Sequence, residues 1–504
     1  MQRINQILKE YPFFLISLPL VFYLNTANHY YGLLNWKLLW IELLIYFSVP
    51  IAVYLLLAWI LKSKTRAGAI MFYLLLIFYF FHLLHQWLKE MPALNFLSSY
   101  SVLLPVILII TVIYLIYVFR EKGKFSRLYY LGNLFFILLL IAGVVQYAYN
   151  AFSHAERQHF QAGPAENLKL ANPVLCDTCL RPDIFFIILD GYTNSKTLNT
   201  EFHNSNAEIT NYLNAKKFYV VTDSRSNYNF THMSIASILN MDYLRQLDNT
   251  HSFYTKDFFQ SSYTIYQNPV TKWLKQNGYE LNNYSIFEIK DAPSKITPFL
   301  QELNYRSVFG QTFFNKLKRD IGYHFSFLQP GQALTTQEKE KVNSGLQRIR
   351  ETYYGVLKAS YSSPEIPRFT YAHFILPHET FYFDSTGKKL DDHFTARTMV
   401  NKKDYLEQLV YTNKFIIKPL IDSIFNNSKR PFVIIIQGDH GYRNYEPGKK
   451  NLEFENLSAF YFSNQNYSQL YDSITSVNAF RVALNANLNQ QLPLLKDSTI
   501  NLSK

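Results

Sequence analysis

Five long apolar runs, charged only at Glu42, follow one another in the first 150 residues of this 504-residue chain, at roughly 11–27, 38–61, 69–85, 101–119 and 131–149. Each is about the 17–25 residues that a helix needs to cross a bilayer. The remaining 354 residues hold no run to match them. A cleaved signal peptide does not explain five runs in succession, and the first lacks a small-residue cleavage site. The expectation is a polytopic α-helical membrane domain over 1–150 with five spans.

The charges between the runs predict an orientation. Arg3 and Lys9 precede the first run, Lys62, Lys64 and Arg66 follow the second, and Arg120, Lys122, Lys124 and Arg127 follow the fourth. The alternate loops carry only Lys37, Lys89 and Glu90. Basic loops stay in the cytoplasm, so an odd number of spans delivers everything after residue 150 to the other side. The expected location is the inner (cytoplasmic) membrane, multi-pass, with an extracytoplasmic (periplasmic) domain. Of the formal net charge of +12, residues 1–150 contribute +7, from 11 Lys/Arg against 4 Glu. The rest carries 38 basic and 33 acidic residues with no dense basic run, which argues against nucleic-acid binding.

Cys176 and Cys179, in "CDTC", are the only cysteines. Two sulfurs do not make a four-ligand zinc site, and an oxidising compartment permits a disulfide between them. They fall in an expected linker, 151–182. From 183 to 504, strand-like runs alternate with helix-like segments, which predicts an α/β domain with a mainly parallel sheet sandwiched by helices. "DIFFIILDGY", "RFTYAHFI" and "FVIIIQ" read as buried strands. "QEKEKVNSGLQRIRETYYGVLKASY" reads as a long amphipathic helix, and "KKDYLEQLVYTNKFIIKPLIDSIF" as another, bent at Pro419.

Two of those strands end in Asp-bearing turns, "IILDG" and "IIIQGDHG". Glycine-flanked Asp is ordinary turn chemistry. Ligands of open α/β sheets, however, bind beyond the carboxyl ends of the strands. If the two strands are neighbours, Asp190, Asp439 and His440 converge, and two carboxylates with an imidazole suit a divalent cation such as zinc or manganese. In "SNYNFTHMSIASILNMDYL" apolar residues take helical spacing from Met233, placing Thr231 at or next to an N-cap, where backbone N–H groups favour a phosphate. A metal-activated hydroxyl there is a nucleophile. The alternatives are a plain cap or a glycosylation sequon, Asn229-Phe230-Thr231. In "YAHFILPHETFYFD", His373 and His378 flank Pro377. A strand histidine is more often core than ligand, which makes His378 the better candidate.

With these elements in order, the chain resembles the alkaline phosphatase superfamily in its sulfatase-like branch. In architecture it resembles lipoteichoic acid synthases and lipid A phosphoethanolamine transferases, which join five membrane helices to an extracytoplasmic catalytic domain. "GDHG" after a hydrophobic strand is the most specific match. The resemblance implies that Asp190 takes the first acidic metal position, often Glu in those families, that Thr231 is the nucleophile, and that Asp439 and His440 are paired ligands of one metal ion. It implies substrate contacts for His378 and His373, with Arg443 as a further candidate. "PHET" departs from the usual pattern, with Thr380 where proline is common. The C/S-x-P-x-R sequence of formylglycine sulfatases is absent.

The implied activity is a metal-dependent, membrane-anchored transferase that moves a phosphoethanolamine- or phosphoglycerol-type headgroup from a phospholipid donor to an envelope glycan or lipid acceptor through a phospho-threonine. The alternatives are a sulfatase-like phosphoesterase or sulfuric ester hydrolase that uses water, and a catalytically silent envelope binding protein. Against the silent protein, Asp190, Thr231, Asp439 and His440 are all present.

Overall fold

The computed structural model describes residues 2–29, 40–121, 125–152, 181–249, 251, 255–297, 308–321, 336–361, 365–397 and 401–502. Cys176 and Cys179 lie outside these residues. The chain divides into two compact units, one of Met1–Gln158 with Leu300–Gln332, the other of His159–Phe299 with Ala333–Lys504. Of the region expected from 183 onward to form one domain, the described residues 308–321 group with the first unit.

The first unit contains α1 (Gln2–Glu10), α2 (Phe14–His29), α3 (Trp40–Ile60), α4 (Lys64–Glu90), α5 (Tyr100–Arg120) and α6 (Ser126–Phe152). Among the described residues four helices, α3 to α6, are long and apolar enough to cross a membrane. That corrects the expected five. Pro12 breaks the first run, so that α2 begins at Phe14, and its 16 described residues span about 24 Å at 1.5 Å per residue against a hydrocarbon core of about 30 Å. The break is stitched by buried Asn133 on α6. Its Oδ1 accepts from Phe14 N–H at 2.8 Å, and its Nδ2 donates to the carbonyls of Leu8 at 2.8 Å and Tyr11 at 2.7 Å. Backbone groups freed at a helix end in an apolar setting need such partners.

A short segment from far along the chain completes this unit. Phe309 is buried, its ring stacked on Tyr46 of α3 at 4.6 Å and set against Tyr23 of α2 at 5.7 Å. A helix, Phe313–Ile321, then lies along α4, with Phe313 edge-on to Phe81 at 4.9 Å and Phe314 near Phe78 at 6.0 Å.

In the second unit a six-stranded mixed sheet runs in the order β2-β6-β5-β1-β4-β3. The strands are β1 (Asp183–Leu189), β2 (Tyr219–Val220), β3 (Glu280–Tyr284), β4 (Arg368–Phe374), β5 (Phe432–Gly438) and β6 (Ser458–Phe462). β5, β1, β4 and β3 are parallel and β6 is antiparallel to β5. β1 is apolar at nearly every position because both of its faces are covered. Ile184, Phe186 and Ile188 join one core, with residues of Thr231–Asn240 and Ala479–Leu488; Phe185, Ile187 and Leu189 join the other, with residues of Thr336–Ser360 and Lys402–Asn427. Helices α7 (Ser195–Phe202), α8 (Ala207–Ala215) and α9 (Thr231–Asn240) follow β1. The bend expected at Pro419 is a π-helical turn, Thr412–Ile417, ahead of the proline. Proline clashes with the carbonyl four residues back, and the wider turn makes room for the ring.

Candidate metal centre

β1 lies between β5 and β4, with Leu189 in register with Gly438 and with Phe374. Parallel strands release their chains at one edge, so Asp190 leaves the sheet beside Asp439-His440 on one side and the His378 loop on the other. The condition for convergence is met. Glycines make the fit possible. Gly191 has φ of +71°, a region that side chains rarely adopt, and a Cβ on Gly438 would meet the carbonyl oxygen of Tyr192.

Thr231 is the first residue of α9, with Phe230 at the N-cap. The sequon is not presented, since Asn229 is buried with its amide bonded to Glu453 at 3.3 Å and Asn501 at 3.1 Å. One turn into α9, the Ser234 hydroxyl donates to the Asp439 carbonyl at 2.6 Å, tying the helix start to the β5 loop. Thr231 Oγ1 then lies 3.4 Å from His440 Nε2.

The hydrogen bonds fix which atoms of the cluster remain unsatisfied. Asp439 Oδ1 accepts from the N–H of Gly191 and of His440, both at 2.9 Å. His440 Nδ1 lies 2.6 Å from the Gly441 carbonyl, so this nitrogen donates and Nε2 presents its lone pair. That lone pair faces Asp190 Oδ1 at 3.4 Å and Asp439 Oδ2 at 3.5 Å. Both oxygens are buried and accept no hydrogen bond. Acceptors facing acceptors in a dry site call for positive charge among them. Two carboxylate oxygens, an imidazole nitrogen and a hydroxyl are a donor set that fits a divalent cation.

His373 and His378, both expected to contact substrate, stand at different places in the site. His373 is fully buried on β4, its unpartnered Nε2 3.7 Å from Asp190 Oδ2. It stands with Asp190 and Asp439 in one group of mutually close ligand atoms, while Asp190, His378 and His440 form another. His378 donates from Nδ1 to the Glu379 carbonyl at 2.7 Å and accepts at Nε2 from Arg443 at 2.8 Å. Arg443 also lies over the Phe230 ring at 5.7 Å. Both side chains, with His440, Tyr405 and Glu453, line a cleft of about 380 Å³.

Three further residues bear on the site. His232 follows Thr231, its Nε2 buried without a partner, its ring edge-on to Phe258 at 4.8 Å and Phe287 at 5.0 Å. Burial, with His373 adding, pushes it down to about 3, and the ring is neutral. The helix Lys402–Tyr411 clamps both acidic-turn and histidine loops. Tyr405 donates to the Gly191 carbonyl at 2.8 Å and accepts from Thr193 N–H at 3.1 Å. Gln408 Nε2 donates to the carbonyls of His378 at 2.8 Å and of Pro377 and Thr380 at 3.2 Å, and its Oε1 accepts from Tyr382 N–H at 2.7 Å. Gln408→Met keeps the volume and strands four backbone groups, two of them buried. We expect a stability loss of about 2 kcal/mol in chemical denaturation. An unchanged midpoint and slope would show that this amide is not what holds the loop.

No family model and no curated protein matches this chain. Among solved structures, it is similar to the integral membrane protein lipooligosaccharide phosphoethanolamine transferase A from Neisseria meningitidis, at 12% identity over 96% of this chain and 95% of that one, with a TM-score of 0.38. The C-terminal periplasmic domain of the Escherichia coli protein EptC matches at 11% identity over 67% of this chain and 92% of that one, TM-score 0.38. The corresponding domain of phosphoethanolamine transferase EptC from Campylobacter jejuni matches at 12% over 64% and 94%, TM-score 0.36. At such identities and TM-scores the likeness transfers no residue role, and the chemistry of this site rests on its own atoms.

Proposed function

We propose that this protein is a metal-dependent, membrane-anchored transferase that moves a phospho-headgroup, of the phosphoethanolamine or phosphoglycerol type, from a phospholipid to an envelope acceptor. The observation that carries the reading is the meeting of Thr231 Oγ1, at the start of α9, with the lone pair of His440 and the unpartnered oxygens of Asp190 and Asp439.

Asp190, Asp439 and His440, with Thr231, would hold one zinc or manganese ion. When bound, the ion supplies positive charge that favours the Thr231 alkoxide and neutralises the transferring phosphate oxygens. Thr231 Oγ1 attacks phosphorus, forming the O–P bond as the bond to the lipid oxygen breaks, and the hydroxyl proton ends on the departing lipid alcohol. The first-turn N–H groups of α9 and the Arg443 guanidinium, held by His378, hold the other phosphate oxygens. An acceptor hydroxyl then displaces Thr231 and regenerates it. Arg443→Ala should lower kcat/KM about 10- to 100-fold, the loss of one charge-assisted contact; a kinetic titration with unchanged kcat/KM would remove Arg443 from the site.

The catalytic unit is extracytoplasmic on this reading, and the revised span count leaves that intact. The basic loop with Arg120 and Arg127 is followed by α6 alone, so the chain emerges opposite to that loop whether or not α2 crosses. The reading is tested by incubating the full-length protein with labelled phosphatidylethanolamine or phosphatidylglycerol and searching by mass spectrometry for a headgroup adduct on Thr231. Such an adduct, lost in Thr231→Ala, supports it, and equal turnover by both proteins refutes it. Release of free phospho-headgroup without an acceptor would favour the hydrolase.

A further inference from the structure

The segment that returns to the membrane unit has an order of its own. Its partners lie at successive depths. Phe309 sits between Tyr23 and Tyr46, and Tyr46 is six residues, or about 9 Å, inside the Trp40 end of α3. Phe314 and Phe313 lie against Phe78 and Phe81 on the apolar stretch of α4, before its polar end at Gln86 to Glu90. Further along the same helix, Asp320 accepts from the Tyr100 hydroxyl at 2.5 Å and pairs with Lys316 at 3.0 Å, and the Tyr100 ring stacks on His85 at 4.8 Å. Thus the apolar start of Phe313–Ile321 meets the apolar stretch of α4, and its charged end meets the polar turn between α4 and α5. Its polarity changes along its length as a bilayer's does from acyl chains to headgroups.

One face of this helix is exposed among the described residues. Phe314 is 67% exposed, and Lys318, one turn on, is exposed as well. Phe314 stands beside Phe78 of α4, whose surface exposes Leu83, as that of α3 exposes Ile45. An aromatic ring exposed at hydrocarbon depth with a lysine a turn nearer the headgroups is the arrangement of interfacial helices.

We infer that Phe313–Ile321 is a lipid-contacting interfacial helix, with the Phe314 ring among acyl chains and the Lys318 ammonium at lipid phosphates, in the leaflet on the side of the α4–α5 turn. The occupant of the exposed face is the bilayer itself. A chain segment encoded between the second unit's β3 and β4 is thereby a membrane contact in its own right.

The test requires no turnover, so its failure is separable from failure of the proposed reaction. Full-length protein in phosphatidylethanolamine–phosphatidylglycerol nanodiscs carries the photoreactive analogue p-benzoylphenylalanine at position 314, or at position 45 as a lipid-facing reference. After irradiation, mass spectrometry of the peptides identifies what each has captured. Lipid adducts at both positions are the expected result. Adducts at 45 with none at 314, or capture at 314 of protein instead of lipid, overturns the inference. A second measurement, Lys318→Glu, should reduce retention of phosphatidylglycerol over phosphatidylcholine in the purified protein; unchanged retention removes the phosphate contact.

Discussion

Thr231→Ala is expected to abolish the proposed transfer, by roughly 10⁴-fold or more if the hydroxyl is the nucleophile, because the remaining groups only bind and orient. Thr231→Ser keeps the oxygen at the first position of α9 and retains measurable turnover. The pair separates a nucleophile from a cap. Phe230 is the N-cap residue and Thr231 makes no capping hydrogen bond, so neither substitution disturbs the helix start. A purely structural threonine would therefore leave both variants active, and equal rates for Ala and wild type end the nucleophile assignment.

The second large effect is on cation-dependent stability. Zinc or manganese at a hundredfold excess over its Kd should raise unfolding stability by about 2.7 kcal/mol. Asp439→Asn should remove that gain. The substitution conserves volume and keeps an oxygen for the N–H groups of Gly191 and His440, which Asp439 Oδ1 now serves. It removes the charge on the second oxygen, the one without a partner. In the absence of metal the variant should be no less stable than wild type, because Asp190 and Asp439 no longer repel. Thermal unfolding with and without the ion reads both outcomes. If Asp439→Asn still gains the full metal-dependent increment, these atoms are not the ligands.

The parts of this architecture that rest on local pattern were legible in the sequence. β1 and β5 are continuous β-branched and aromatic runs, each followed by a glycine-bearing turn, and such runs fit only a doubly covered strand. The onset of helical spacing after Thr231 placed the hydroxyl within one residue of its observed position. What was not legible depends on pairings across the chain. Tyr405 and Gln408 occupy inward positions of an amphipathic helix, and nothing local tells a core tyrosine from one that bridges Gly191 and Thr193. His232 reads as a helix residue until Phe258 and Phe287 are seen to close around it. The first apolar run was read as a span because apolarity was counted through Pro12, where the helix breaks. The return of Phe309 to the membrane helices left no signature, since its segment is too short and too mixed for a span.

That return sets an order of assembly. During synthesis the six N-terminal helices are complete long before residue 309 exists, and β1, β2 and β3 are all made in the interval. Until then Tyr23 and Tyr46 lack the ring that fills the space between them. The membrane bundle therefore matures late, and a truncation after α6 yields a bundle with that gap still open.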